Sequence, residues 1–305
     1  MKSRFGPNGM HLFDRLTGLN VLLDELHPKE TVWSISPRQV SIALTNVCDL
    51  HCVYCYAPKH KASLHTEQVL TWLKELDAEG CLGVGFGGGE PTLHPDFVEI
   101  CKRAAGETEL AITFTTHGHR LTPPLVNKLK GSIHFVRISV DGVGRTYENQ
   151  RGKQFASLLR GMESIATLAP FGINVVVNEH TVDELDAMSE LAQKVGASEL
   201  LLLPQQPTST VASMDAVVGR ALQDWVSNYR GKVRLAVSEA GASGLPTCDP
   251  FPDERGLQAY AHIDASGTLR ANSYSPDGAK IGDAGVLAAL KRIKKTFEIQ
   301  REMQP

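Results

Sequence analysis

The sequence predicts an α/β fold, a partial TIM-like (β/α)6 barrel carrying a small α+β appendage at its C-terminal end. Short apolar, β-branched runs alternate with amphipathic stretches of helical period, which is the pattern of a parallel sheet covered by helices. At 305 residues the chain can bury one full core with a modest addition. Near Gly231 the alternation gives way to a stretch rich in Gly, Pro, Ser and Asp, which sets the appendage apart.

The elements follow in order. Residues 1–37 read as an extension, in which 11–25 carries two apolar runs separated by Thr17 and Gly18, a small hairpin outside the main fold. Residues 38–230 hold the barrel, with strands expected at 40–44, 84–87, 112–115, 136–140, 173–177 and 200–203. Between them Val69, Leu73 and Leu76 recur at helical spacing, as do Phe97, Ile100, Cys101 and Ala104. Leu185, Met188, Leu191 and Val195 form a third such face, preceded by Thr181 and Glu184 as a capping-box pair. Right-handed β/α units of this kind curl, and their functional residues lie beyond the C-terminal ends of the strands. Residues 231–305 add a strand pair around 261–271 and a last helix near 286–297.

Composition narrows the class. Apolar residues at 42% and charged residues at 21% are ordinary for a globular protein, which excludes disordered and collagen-like chains. No apolar run approaches the eighteen or so residues of a membrane span. Gly6, Pro7, Asn8 and Gly9 stand where a signal peptide would place its apolar stretch, so a cytoplasmic protein is expected. With 31 basic against 34 acidic residues and no block of either sign, nothing calls for a nucleic-acid partner. Lys291, Arg292, Lys294 and Lys295 read as a solvated helix face.

Six cysteines in so long a chain do not make a disulfide framework. Cys48, Cys52 and Cys55 crowd into C-x3-C-x2-C directly after the first barrel strand. Three thiolates can hold a cuboidal iron–sulfur cluster and leave one iron open, whereas most such clusters take four. Two other readings stay open on the residues alone. One is zinc completed by His51, His60 or His65, and the other is a redox pair of Cys52 and Cys55. Cys81 and Cys101 read as packed thiols.

The run ALTNVCDLHCVYCYAP, residues 43–58, resembles the cluster loop of the radical S-adenosylmethionine (SAM) superfamily, including Tyr54 before the third cysteine. Gly87-Gly88-Gly89-Glu90-Pro91 resembles the family's GGE motif, Thr115-Thr116-His117-Gly118 its TNG turn, and Ile138-Ser139-Val140-Asp141-Gly142 closes the fourth strand. The resemblance implies a [4Fe–4S] cluster on Cys48, Cys52 and Cys55 that splits SAM reductively to methionine and a 5′-deoxyadenosyl radical. It implies that Gly88 and Gly89 let the backbone approach the methionyl end, with Glu90 adding charge near its ammonium. Ser139 and Asp141, on one side of an extended chain, would contact the ribose or the methionyl carboxylate, and the Tyr54 main chain the adenine. Asn178 stands as either a ligand contact or a strand cap, and His117, in place of the usual Asn, as a turn residue. Gly83, Gly85 and Gly88 also spell G-x-G-x-x-G, but they span a strand instead of opening a helix, which speaks against a dinucleotide site.

Residues 262–272 resemble the hairpin of SPASM or twitch domains, with Asn272 where a cysteine would stand. Cys248 is alone, and one cysteine cannot hold an auxiliary cluster. It is read as a plain buried thiol, as a hydrogen-atom donor to a substrate radical, or as a ligand to some further group. The resemblance points to an enzyme modifying a peptide or peptide-derived product, with a small metabolite such as a sugar, nucleoside or cofactor precursor as the alternative. It also implies an external one-electron reductant such as flavodoxin or ferredoxin. The residues before the first strand leave no room for a winged-helix leader-binding domain.

Overall fold

The computed structural model describes the backbone of residues 1–302 and the side chains of 1–297. Seven parallel strands follow one another across the main sheet: β4 (Gln39–Thr45), β5 (Gly83–Gly88), β6 (Ala111–Thr116), β7 (Phe135–Ser139), β8 (Phe171–Val177), β9 (Glu199–Pro204) and β10 (Arg234–Val237). Helices α1 (Thr66–Ala78), α2 (Phe97–Glu107), α3 (Pro123–Leu129), α4 (Arg145–Arg151), α5 (Phe155–Ala166), α6 (Leu185–Lys194) and α7 (Ala216–Asn228) cross between them. The alternation that predicts the strands also decides their faces. Val40, Ile42 and Leu44 are fully buried beneath the helices, while Ser41 and Ala43 point to the opposite, concave face. Val69, Leu70, Trp72, Leu73 and Leu76 form the buried face of α1, and Phe97, Ile100, Cys101 and Ala104 that of α2. Cys81 and Cys101 are fully buried, as packed thiols.

The sheet extends across the sequence boundary at 230/231 on both of its edges. β10 pairs in parallel with β9, a seventh unit that the weak periodicity of Arg234–Val237 conceals. At the other edge β11 (Tyr260–Ile263) pairs in parallel with β4, and the antiparallel strands β12 (Thr268–Arg270) and β13 (Gly278–Lys280) follow it. Among the described residues the result is one ten-stranded open sheet, with no closure between β10 and β13. Helix α8 (Gly285–Glu302) packs on α1, and Glu75 accepts from the Val286 N–H at 2.9 Å.

The N-terminal segment forms three strands instead of a single hairpin: β1 (Lys2–Gly6), β2 (Gly9–Phe13) and β3 (Asn20–Leu23). It is pinned to the main fold by Arg4, only 2% exposed, which pairs with Glu254 at 2.8 Å and donates to the carbonyls of Ser36, Gly80 and Gln258. The expected capping box at Thr181 and Glu184 is not formed. Thr181 Oγ1 instead donates to the Val176 carbonyl at 2.6 Å, and Glu184 reaches the Val143 N–H and Thr146, tying α4 to the start of α6. Among the described residues no helix is long and apolar enough to cross a membrane.

Candidate active site

The concave face of the sheet and the loops beyond its C-terminal edge enclose a cavity of about 1320 Å³. Cys48, Cys52 and Cys55 line it from the loop after β4, and Gly87 to Glu90 from the end of β5. Ser139 and Asp141 line it from β7, and Ala271 to Tyr274 from the tail. Asn178 is not among the lining residues. Its side chain accepts from the His180 N–H at 2.9 Å and donates to Gln205 at 3.0 Å.

The cysteine loop is held by backbone pairing with the glycine run. Gly89 N–H donates to the Thr45 carbonyl at 2.7 Å and Glu90 N–H to the Val47 carbonyl at 2.9 Å. A Cβ on Gly88 (φ +109°) would stand 2.3 Å from the Thr45 oxygen, and one on Gly89 the same distance from the Val47 oxygen. These two glycines are therefore required by contact with the cysteine loop itself. Gly87 is different: a Cβ there meets nothing within 4 Å and would project into the cavity.

Glu90 is fully buried and fully engaged. Its carboxylate accepts from the Thr92 N–H and hydroxyl, from the Thr116 hydroxyl at 2.9 Å and from the His117 N–H at 3.0 Å. The His117 ring in turn lies 2.8 Å from Asp49, so Glu90, the turn after β6 and the cysteine loop form one network. Cys48 Sγ, an Asp49 oxygen and a His117 ring nitrogen lie within 4.8 Å of one another. Burial pushes the Cys48 thiol up to about 11, with Glu90, Asp49 and Cys55 adding repulsion and the Leu50 N–H opposing it.

Asp141 is likewise committed to protein partners. It accepts from Tyr54 Oη at 2.5 Å and from the Val176 N–H at 2.7 Å, and pairs with Arg151 at 2.5 Å. Arg151, at the end of α4, also lies 3.8 Å from the Cys52 sulfur and above the Tyr54 ring, while its buried Nε has no partner among the described residues. Sequence reasoning missed Arg151 and Asp49. Asp49 could have been noticed inside the cysteine loop, but nothing around Arg151 marks it. Cys248 is exposed, contrary to a buried thiol, and does not line the cavity.

Comparison with known proteins agrees with this geometry. The Radical SAM superfamily profile matches residues 42–192. The mycofactocin maturase MftC of Mycolicibacterium smegmatis is 32% identical over 224 residues, covering 69% of this chain and 57% of the relative. The chain thus spans less than two thirds of the length of that relative. An AdoMet-dependent heme synthase of Methanosarcina barkeri is 31% identical over 53% of this chain and 49% of its own. The fold matches Streptococcus suis SuiB bound to precursor peptide SuiA, with a TM-score of 0.72 at 14% identity over 89% of this chain and 81% of that one.

The residues present fit the cofactors this family uses. The three cysteines are free thiols at the rim of one cavity, and the space over Gly87 is left open by the absence of a side chain. Cys48, Cys52 and Cys55 would hold the cluster, and the cavity above Gly87 would take SAM. The motif residues, the profile match and the fold converge, and the chain belongs to the radical SAM superfamily, whose cofactors are a [4Fe–4S] cluster and S-adenosylmethionine.

Proposed function

We propose that this radical SAM enzyme abstracts a hydrogen atom from a peptide or peptide-derived substrate. The observation that carries the reading is the cavity of about 1320 Å³. Small-molecule sites occupy roughly 300–1,000 Å³, so room is left for a sizeable substrate beside SAM. Relatives support it: MftC is named a maturase, and a PqqA peptide cyclase of Ruegeria pomeroyi is 30% identical over 54% of this chain.

When bound, the cluster and SAM supply a one-electron cleavage that delivers a hydrogen-abstracting 5′-deoxyadenosyl group. The chain's own residues position and enclose. Glu90 fixes the cysteine loop through Thr116 and His117, and Asp141 holds Tyr54 and Arg151 against the same loop. Ser139, on the cavity face of β7, remains a proposed SAM contact, as do the main chains of Tyr54 and Gly88. The tail serves as a SPASM-like cover without an auxiliary cluster, its Tyr274 ring 5.3 Å from Tyr56 beside Cys55. Exposed Lys59, His60 and Lys61 would receive an acidic reductant such as flavodoxin or ferredoxin, in the cytoplasm.

The test is anaerobic reconstitution with SAM and dithionite, reading 5′-deoxyadenosine with and without peptide, sugar or nucleoside candidates. Release of 5′-deoxyadenosine stimulated by peptides is the expected result. S-adenosylhomocysteine as the only SAM product would overturn the mechanism, and stimulation by a sugar or nucleoside alone would overturn the substrate class.

A further inference from the structure

Three polar side chains on neighbouring strands form a hydrogen-bonded chain in the cavity wall. Ser41 of β4 lies in register with His262 of β11, and Tyr260 stands two residues before His262 on the same face. Ser41 Oγ is 2.6 Å from Tyr260 Oη and 2.6 Å from His262 Nδ1. All three line the cavity, and the His262 ring meets Ser41 through Nδ1. None of the three takes part in holding the cysteine loop.

We propose that Tyr260, Ser41 and His262 form a two-way proton relay that takes a proton from an O–H or N–H group of the substrate. The inference rests on the cavity being the substrate site. Ser41 has one proton and two neighbours, so the chain has two orders. In one, Tyr260 donates to Ser41 and Ser41 to Nδ1, leaving Nε2–H facing the cavity. In the other, Nδ1–H donates to Ser41 and Ser41 to the Tyr260 oxygen, leaving a bare Nε2 and a free phenol proton. From the second order, a substrate O–H or N–H bond breaks and an Nε2–H bond forms. The Nδ1 proton passes to Ser41, the Ser41 proton to Tyr260, and the phenol proton to water. No electron is gained or lost, and no charge accumulates on the three groups.

Their chemistry suits this. Burial holds His262 down to about 4, with Arg270 assisting and Asp264 opposing, and burial raises the Tyr260 phenol although the Ser41 bond opposes that. Both ends are therefore neutral near pH 7, where the two orders can interchange without an ionic intermediate.

The experiment is nitrogen-15 NMR of the histidine rings in the full chain, with His262 assigned by its loss in His262→Gln. The expected result is a pair of averaged ring-nitrogen shifts showing exchange between tautomers. Tyr260→Phe, which removes the far partner, should collapse them to Nε2–H alone, whereas Ser41→Thr, which keeps the bridging hydroxyl beside an intact Tyr260, should retain the averaged pair. N-methylacetamide, a single peptide-bond probe whose N–H donates to a bare Nε2, should move the wild-type shifts saturably toward Nδ1–H. A single tautomer in the wild type that Tyr260→Phe leaves in place would mean a static bond and overturn the relay. A ring indifferent to the probe would show that Nε2 does not serve the cavity. Failure to release 5′-deoxyadenosine would instead count against the proposed function and leave the tautomer result standing.

Discussion

The Tyr54 hydroxyl donates to Asp141 at 2.5 Å, so an aromatic residue of the cysteine loop is fastened to the end of the fourth barrel strand. The same carboxylate carries the Arg151 guanidinium. Asp141→Ala leaves that buried cation unpaired, and an expected loss of about 3–5 kcal/mol follows. Tyr54→Phe removes one hydrogen bond and should cost about 1 kcal/mol. Urea unfolding of both variants measures the difference. An Asp141→Ala protein as stable as the wild type would show that Arg151 finds another partner.

The glycine run should divide sharply under substitution. Gly87→Val adds a side chain to open space, so fold and iron content should persist while SAM affinity falls by about tenfold or more. Gly89→Val drives a Cβ into the Val47 and Asn46 oxygens, so the cysteine loop should shift and iron should be lost. Iron assay and SAM binding by equilibrium dialysis separate the two, and equal behaviour would refute the distinction.

Acid should destabilise the protein through two imidazoles, the half-buried His119 and the buried His262. His119 is lowered to about 4 by burial and the neighbouring His117, and His262 to about 4 by burial. An unfolded histidine titrates near pH 6.5, so between about pH 6.5 and 4 the unfolded chain holds more protons. Stability from this source is complete above pH 6.5 and declines as pH falls toward 4. His119→Gln and His262→Gln should each reduce the slope of unfolding free energy against pH by about one proton. Unchanged slopes would show that neither ring is held neutral.

The cysteines should sort by position. Reconstitution should give about four irons per chain, in keeping with one cube on three thiolates. Cys48→Ala, Cys52→Ala and Cys55→Ala should each abolish the cluster, while Cys81→Ala and Cys101→Ala, which alter fully buried packing, should keep it. In the loaded protein iodoacetamide should label Cys248 first, because it is exposed. Eight irons would contradict a cluster-free tail, and prior labelling of Cys81 would contradict its burial.

What the sequence determined by itself was local. A strand's period-two alternation and a helix's 3.6-residue face are written in neighbouring residues, so all six expected strands appear and Val69, Leu73 and Leu76 share one buried face. The cysteine spacing is local too, since Cys48, Cys52 and Cys55 fall within eight residues of one another. Arg234–Val237 was too short and too weakly apolar to announce a seventh strand; β9 beside it decides that pairing.

Only the tertiary structure decided which polar side chains spend their hydrogen bonds on the protein. Glu90 and Asp141 look like free ligands in the sequence, yet folding surrounds them with Thr116, His117, Tyr54 and Arg151, because a buried carboxylate without partners is too costly to keep. Ser41 and His262 are 221 residues apart and meet because β11 returns to the open edge of β4. That return is a property of the whole sheet, since an unpaired edge and an unfilled apolar face are satisfied together only when the chain comes back to them.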